Sequence, residues 1–221
     1  ECEAHLAGSE PVPFMQLFNV WKESPEARRF ALSRRLGSIA AQVLGVPAVR
    51  LYQDSVFAKR PGDGPTEWHS DLNMAPFDTN DFVTFWIPLQ PIPYSDEGGS
   101  SLCFASRSHR DVALPFWSDP RTTDLSDRYE VETYGEFKVG DCSLHHGWCL
   151  HSAPGNELPD TRYAYTVSYV ADCAPTLQDE GHVRRPDMED RRSYRSWFAD
   201  VGWGGIADHP ELPLVYSEYS W

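Results

Sequence analysis

No stretch of this chain approaches the roughly 18 consecutive apolar residues that a membrane-spanning helix needs. The opening residues carry no charged-then-apolar leader pattern, although a start at Glu1 rather than Met leaves an upstream segment open. Positive charge is scarce: 19 Lys and Arg stand against 33 Asp and Glu, a formal net charge of −14. That balance argues against nucleic acid, which needs a cationic face, and weakens attraction to an anionic membrane. Cysteine is sparse and unpatterned. Five residues (Cys2, Cys103, Cys142, Cys149 and Cys173) make an odd number without CxxC spacing. They fit buried thiols in a reducing, cytoplasmic compartment better than a disulfide framework or a thiolate zinc site. Low-complexity runs, internal repeats and a Pro/Gly-rich linker are also missing, so the 221 residues read as one domain.

What is present divides by texture. Ser24-Pro25-Glu26 has the form of an N-cap followed by proline at the first helical position. Leu32, Leu36, Ile39, Ala40, Val43 and Leu44 then recur at helical spacing, and Gly45 supplies a stop. The region of about 14–45 is therefore expected to be helical and to cover one face of a sheet. Past Gly45 the chain turns to short strands and loops, expected at 49–59, 82–89, 100–105, 134–139, 141–146 and 163–170. This predicts a mainly β fold with flanking helices, an antiparallel sandwich or cupin-like jelly-roll barrel over about 48–172. The remainder, about 173–221, is polar, aromatic and irregular, and is expected to cover the barrel or its mouth.

Two segments carry chemistry: Trp68-His69-Ser70-Asp71, and Leu150-His151-Ser152-Ala153-Pro154. On an extended strand His69 and Asp71 share a face, because side chains alternate. A second histidine from a distant strand completes two imidazoles and one carboxylate on one side of a metal. That facial set leaves open positions and points to a non-haem Fe(II) oxygenase. Eight histidines make a chance His-x-Asp ordinary, so the surroundings matter. His69 follows a Gly/Pro loop, as at the rim of a cavity. His145 and His146 rival His151 for the third position, but on a strand they face opposite ways. Only His151 is followed by a loop and then an arginine, Arg162, at 162 − 151 = 11 residues. After a turn and a return strand, that guanidinium can grip a carboxylate through two parallel hydrogen bonds. His151 is therefore assigned as the third metal ligand, with His145 and His146 nearby or structural.

The chain resembles the phytanoyl-CoA dioxygenase family of Fe(II)- and 2-oxoglutarate-dependent oxygenases. The resemblance rests on Lys59-Arg60-Pro61-Gly62, Trp68-His69-Ser70-Asp71, Phe85-Trp86-Ile87-Pro88-Leu89, Glu97-Gly98-Gly99-Ser100, and the run from His145 to Asn156 with Arg162. It implies a double-stranded β-helix with Fe(II) on His69, Asp71 and His151, and Arg162 on the distal carboxylate of the cosubstrate 2-oxoglutarate. It also implies that Trp86 lies near the cosubstrate, and that Gln53, Ser55 and Lys59 reach cosubstrate or substrate. Ser106-Arg107-Ser108 departs from the Pro-Gly-Ser turn common in the family, and Ser152-Ala153 from its Gly-Ser pair. Halogenating relatives lack the carboxylate, so Asp71 favours hydroxylation, with O2 consumed and succinate and CO2 released. A cupin dioxygenase that uses no 2-oxoacid, and a non-catalytic metal-binding jelly roll, stand as alternatives. The substrate is expected to be a small molecule.

Overall fold

The computed structural model describes residues 14–111, 124–179 and 188–219. Among the described residues, ten strands form two antiparallel sheets. The larger sheet runs β1 (Met15–Phe18), β2 (Ala48–Lys59), β9 (Arg162–Ala171), β4 (Phe82–Pro88), β7 (Ser143–His146). Its longest strand, β2, shares one edge between two partners: β1 lies along Ser55–Ala58, and β10 (Leu214–Ser217) along Ala48–Arg50. The smaller sheet runs β3 (Thr66–His69), β8 (His151–Ala153), β5 (Cys103–Ala105), β6 (Val131–Thr133).

Local chemistry explains the helical layer. Ser24 Oγ accepts from Ala27 N–H at 3.2 Å and opens α1 (Pro25–Ala31), with proline at its first position. Helix α2 (Arg34–Leu44) ends at Gly45, whose φ of 71° favours a residue without Cβ. Ala40 and Ala41 of α2 and Ala31 of α1 bury against Val49, Leu51, Val83, Phe85, Val167 and Tyr169 on the outer face of the larger sheet. Each large side chain so buried contributes about 1.5–3 kcal/mol relative to exposure. Because β-strand side chains alternate, the opposite face of β2, β4 and β9 is left to line a cavity.

Three sequence expectations change. The region of about 14–45 is not wholly helical, since Met15–Phe18 forms β1; four residues are too few for periodicity to declare a strand, and the partner lies near Ser55. No strand spans 134–139: Gly135 at φ 76° breaks the run, which keeps two isolated bridges, Phe137 to Ile92 and Val139 to Asp141, and the pairing strand is β6 at Val131–Thr133. The tail of about 173–221 is not irregular throughout. It contains α3 (Met188–Val201), whose Trp197 stacks on Phe77, and β10, which extends the larger sheet. No helix of the described residues is long and apolar enough to cross a membrane.

Candidate functional site

The smaller sheet brings the two histidines together. Strand β3 pairs antiparallel with β8, and His69 stands directly opposite His151, with ring centroids 4.2 Å apart. Asp71 is not on the strand, which ends at His69; it opens a single 3-10 turn. Ser70 keeps an extended backbone (φ −128°, ψ 139°), so Asp71 still returns to the His69 side. Asp71 Oδ1 lies 3.7 Å from both His69 Nε2 and His151 Nε2. One ligand atom from each of the three residues falls within 4.8 Å of the others, and together they could hold a metal ion.

Hydrogen bonds settle which ring nitrogens face this point. His69 Nδ1 lies 2.7 Å from Glu67 O and His151 Nδ1 lies 3.0 Å from Cys149 O. A carbonyl only accepts, so each Nδ1 carries the proton and each Nε2 offers a lone pair. Both partners are backbone carbonyls. Burial, then His69 and His145, keeps His151 well below the ordinary imidazole range, with Asp71 offsetting only part of this. Burial also opposes ionisation of Asp71, but the surrounding imidazoles, His151 foremost, outweigh it and hold the carboxyl well below the usual range. An ionised Asp71 and a neutral His151 are the protonation states that a divalent cation requires of these two groups.

His145 differs from its rival. Its Nε2 is 3.2 Å from Asp71 Oδ2, and a carboxylate accepts, so this nitrogen carries the proton. It presents an N–H to the carboxylate rather than a lone pair to the centre. His146 faces the other way and stacks on His109 at 5.2 Å.

A cavity of about 270 Å³ opens beside these groups. Arg162 lines it, buried, with one terminal nitrogen donating to Ser100 Oγ at 2.9 Å and its Nε lacking a hydrogen-bond partner among the described residues. Its guanidinium carbon lies 5.6 Å from the Trp86 ring centroid, and Trp86 forms part of the same wall. Burial lowers the Arg162 pKa to about 10, so it remains a cation at neutral pH. Ser100 is fixed by a tight approach: a Cβ on Gly99 would fall 2.0 Å from Pro93 O. Gln53 also lines the cavity, and its Oε1 is buried without a partner among the described residues. A bulge in β2 between Leu51 and Gln53 puts Tyr52 and Gln53, consecutive residues, on the same wall. Ser55 joins them there. Lys59 does not line the cavity; its ammonium donates to Pro154 O at 2.8 Å and Ala153 O at 3.3 Å.

These features fit an iron ion and a dicarboxylate: a facial donor set with free lone pairs, and a buried cation with a donor to spare. The family model described as phytanoyl-CoA dioxygenase matches residues 12–164. The chain belongs to the phytanoyl-CoA dioxygenase family. A probable alpha-ketoglutarate-dependent hypophosphite dioxygenase of Stutzerimonas stutzeri is 27% identical over 139 residues, 58% of this chain. That match spans 48% of the relative, about half its length. Among solved structures, the non-heme alpha ketoglutarate dependent carbocyclase SnoK from nogalamycin biosynthesis superposes with TM-score 0.73 at 23% identity, covering 96% of this chain and 83% of that one. The epimerase SnoN from the same biosynthesis gives 0.73 at 20%, covering 96% and 85%. EctD from S. alaskensis with bound Fe gives 0.60 at 22%, covering 71% and 56%. These likenesses fix the jelly-roll fold that the family member adopts.

Several residues at this phytanoyl-CoA dioxygenase-type site escape sequence reasoning. Thr84, Ser168 and Ser100 support Asp71 and Arg162, while Phe14, Gln16 and Phe18 of the first strand region line the cavity. Thr84 had a signal: it is the one polar residue in the apolar run Phe82–Pro88.

Proposed function

We propose that this protein is an Fe(II)- and 2-oxoglutarate-dependent oxygenase that hydroxylates a small organic molecule. One observation carries the reading: His69 Nε2, Asp71 Oδ1 and His151 Nε2 converge on one point, in a cavity whose wall holds the buried, incompletely partnered Arg162. In this reading His69, Asp71 and His151 hold the iron. Arg162 binds the distal carboxylate of 2-oxoglutarate, with Ser100 orienting its fork and Trp86 flanking it. Gln53 and Ser55 face substrate or cosubstrate, and Lys59 secures the Ala153–Pro154 backbone beside Arg162. Fe(II), 2-oxoglutarate and O2 together supply the oxidising chemistry, leaving succinate and CO2. The chain's own part is to bind, orient and exclude water, through aromatic walls at Phe14, Phe18, Tyr52, Phe82 and Trp86.

The wall also bears on the substrate. Among its described residues Arg162 is the cation, against the carboxylates of Glu67 and Asp71. With Arg162 engaged by the cosubstrate, this lining suits an uncharged organic molecule better than an oxyanion such as the hypophosphite named for the bacterial relative. Incubating the protein with Fe(II), O2, 2-oxoglutarate and ascorbate, which supplies the two electrons that a substrate otherwise gives, and measuring succinate tests the reading. Succinate from the parent, absent in His151→Ala, is expected; none from iron-loaded parent contradicts it.

A further inference from the structure

In the iron site proposed for His69, Asp71 and His151, the two oxygens of Asp71 have different surroundings. Its Oδ1 faces the two imidazoles, while Oδ2 points away into the larger sheet. There it meets one rung of three neighbouring strands. Thr84 on β4 is in direct register with Ser168 on β9 and with His145 on β7. Thr84 Oγ1 donates to Asp71 Oδ2 at 2.6 Å, and His145 Nε2 donates to the same oxygen from 3.2 Å. Thr84 has one proton, already given to Asp71, so Ser168 Oγ, 2.9 Å away, donates to Thr84 in turn. All three side chains are buried.

Such an arrangement has a purpose that packing alone does not explain. Asp71 sits at the start of a short turn, outside the strand ladder, so pairing with β8 does not fix its carboxylate. A carboxylate free to rotate can chelate a metal with both oxygens, occupying a position that cosubstrate or O2 needs. A valine would fill the Thr84 space equally well, so the hydroxyl is explained by its bond to Asp71.

We propose that Thr84 and His145 are positioning residues that hold Asp71 Oδ2, presenting Oδ1 alone to the metal, with Ser168 orienting Thr84. The inference rests on the proposed iron site. It is tested by titrating metal-free protein with Co(II), following affinity and the visible d–d spectrum, with thermal unfolding as a check on the fold. Thr84→Val is expected to weaken Co(II) roughly 10–100-fold and to change the spectrum, as losses of groups supporting a ligand do. Thr84→Ser, which keeps the hydroxyl, should stay within about twofold of the parent. His145→Phe should weaken binding, and His145→Gln, with an amide N–H, should recover part of it. Parent-like affinity and spectrum in folded Thr84→Val overturn the proposal. If that variant does not fold, parent-like behaviour of His145→Phe overturns it instead. Failure of the parent itself to bind Co(II) would strike the iron site, not this support.

Discussion

Lys59 and Arg162 are direct partners in the register of β2 against β9, which sets two buried cations side by side next to the cavity. Among the described residues neither reaches a carboxylate within ion-pairing distance. Their contacts are neutral: the carbonyls of Ala153 and Pro154 for Lys59, and Ser100 Oγ for Arg162. Ser100 Oγ also donates to Pro154 O at 2.6 Å, so one carbonyl joins the two cationic side chains. An end of a cavity built this way awaits a negative charge.

The pair makes a prediction about pH. Burial first, then the Arg162 charge, lowers the Lys59 pKa from 10.5 to about 7. Between about pH 7 and 10.5 the unfolded chain keeps this proton while the folded protein has lost it. The unfolded state then binds more protons, so this group makes stability rise with pH across that window, its full cost standing below pH 7. Urea unfolding of ligand-free protein from pH 6.5 to 9.5 should show a shallower rise in Lys59→Met than in the parent. Equal slopes would show that Lys59 does not titrate there.

Arg162→Ala should separate cosubstrate from metal. A charge-assisted hydrogen bond contributes about 1.5–3 kcal/mol, so its loss should raise the 2-oxoglutarate requirement by about tenfold or more. Metal affinity should stay within about twofold, because Arg162 touches none of His69, Asp71 and His151 directly. Ser100→Ala, which releases one guanidinium nitrogen, should have a smaller effect of the same kind. Steady-state kinetics with varied 2-oxoglutarate, beside Co(II) titration, measures both; an unchanged requirement in Arg162→Ala would remove it from this role.

Arg107 holds a conformation that suits glycine. Its φ of 65° lies in the left-handed region, where a side chain costs roughly 1–2 kcal/mol. Arg107 takes this conformation without being glycine, and Ser108 beyond it accepts from Leu150 N–H at 2.8 Å, immediately before His151. The strain therefore sits in a segment that braces the β8 entry. Arg107→Gly should raise stability by about 1 kcal/mol in chemical denaturation, with activity intact. A loss of stability would mean that the arginine side chain contributes more than its backbone costs.

How much of this was legible beforehand follows from the range of each signal. Helix α2 was, because its apolar spacing and Gly45 stop are local. So were β2, β4 and β9, long runs of β-forming residues. His69, Asp71, His151 and Arg162 were singled out by spacing and turn chemistry, and the fold brings the first three together beside the fourth. The means differed in part: Asp71 reaches the histidine side through the extended Ser70 rather than along a continuing strand. What stayed hidden depends on pairing between distant segments. Strand β1 becomes one only against β2, and Thr84, Ser168 and His145 form a rung only once three strands are in register. Lys59 has the pattern of a cavity residue on its strand, but its ammonium turns to the Ala153–Pro154 backbone, which no local signal marks.

The most direct measurement is the visible spectrum of metal-free protein given Fe(II) and then 2-oxoglutarate under nitrogen. A metal-to-ligand charge-transfer band should appear in the parent and be absent in Asp71→Ala. Parent protein that binds iron yet develops no band with 2-oxoglutarate would contradict an Fe(II)/2-oxoglutarate site.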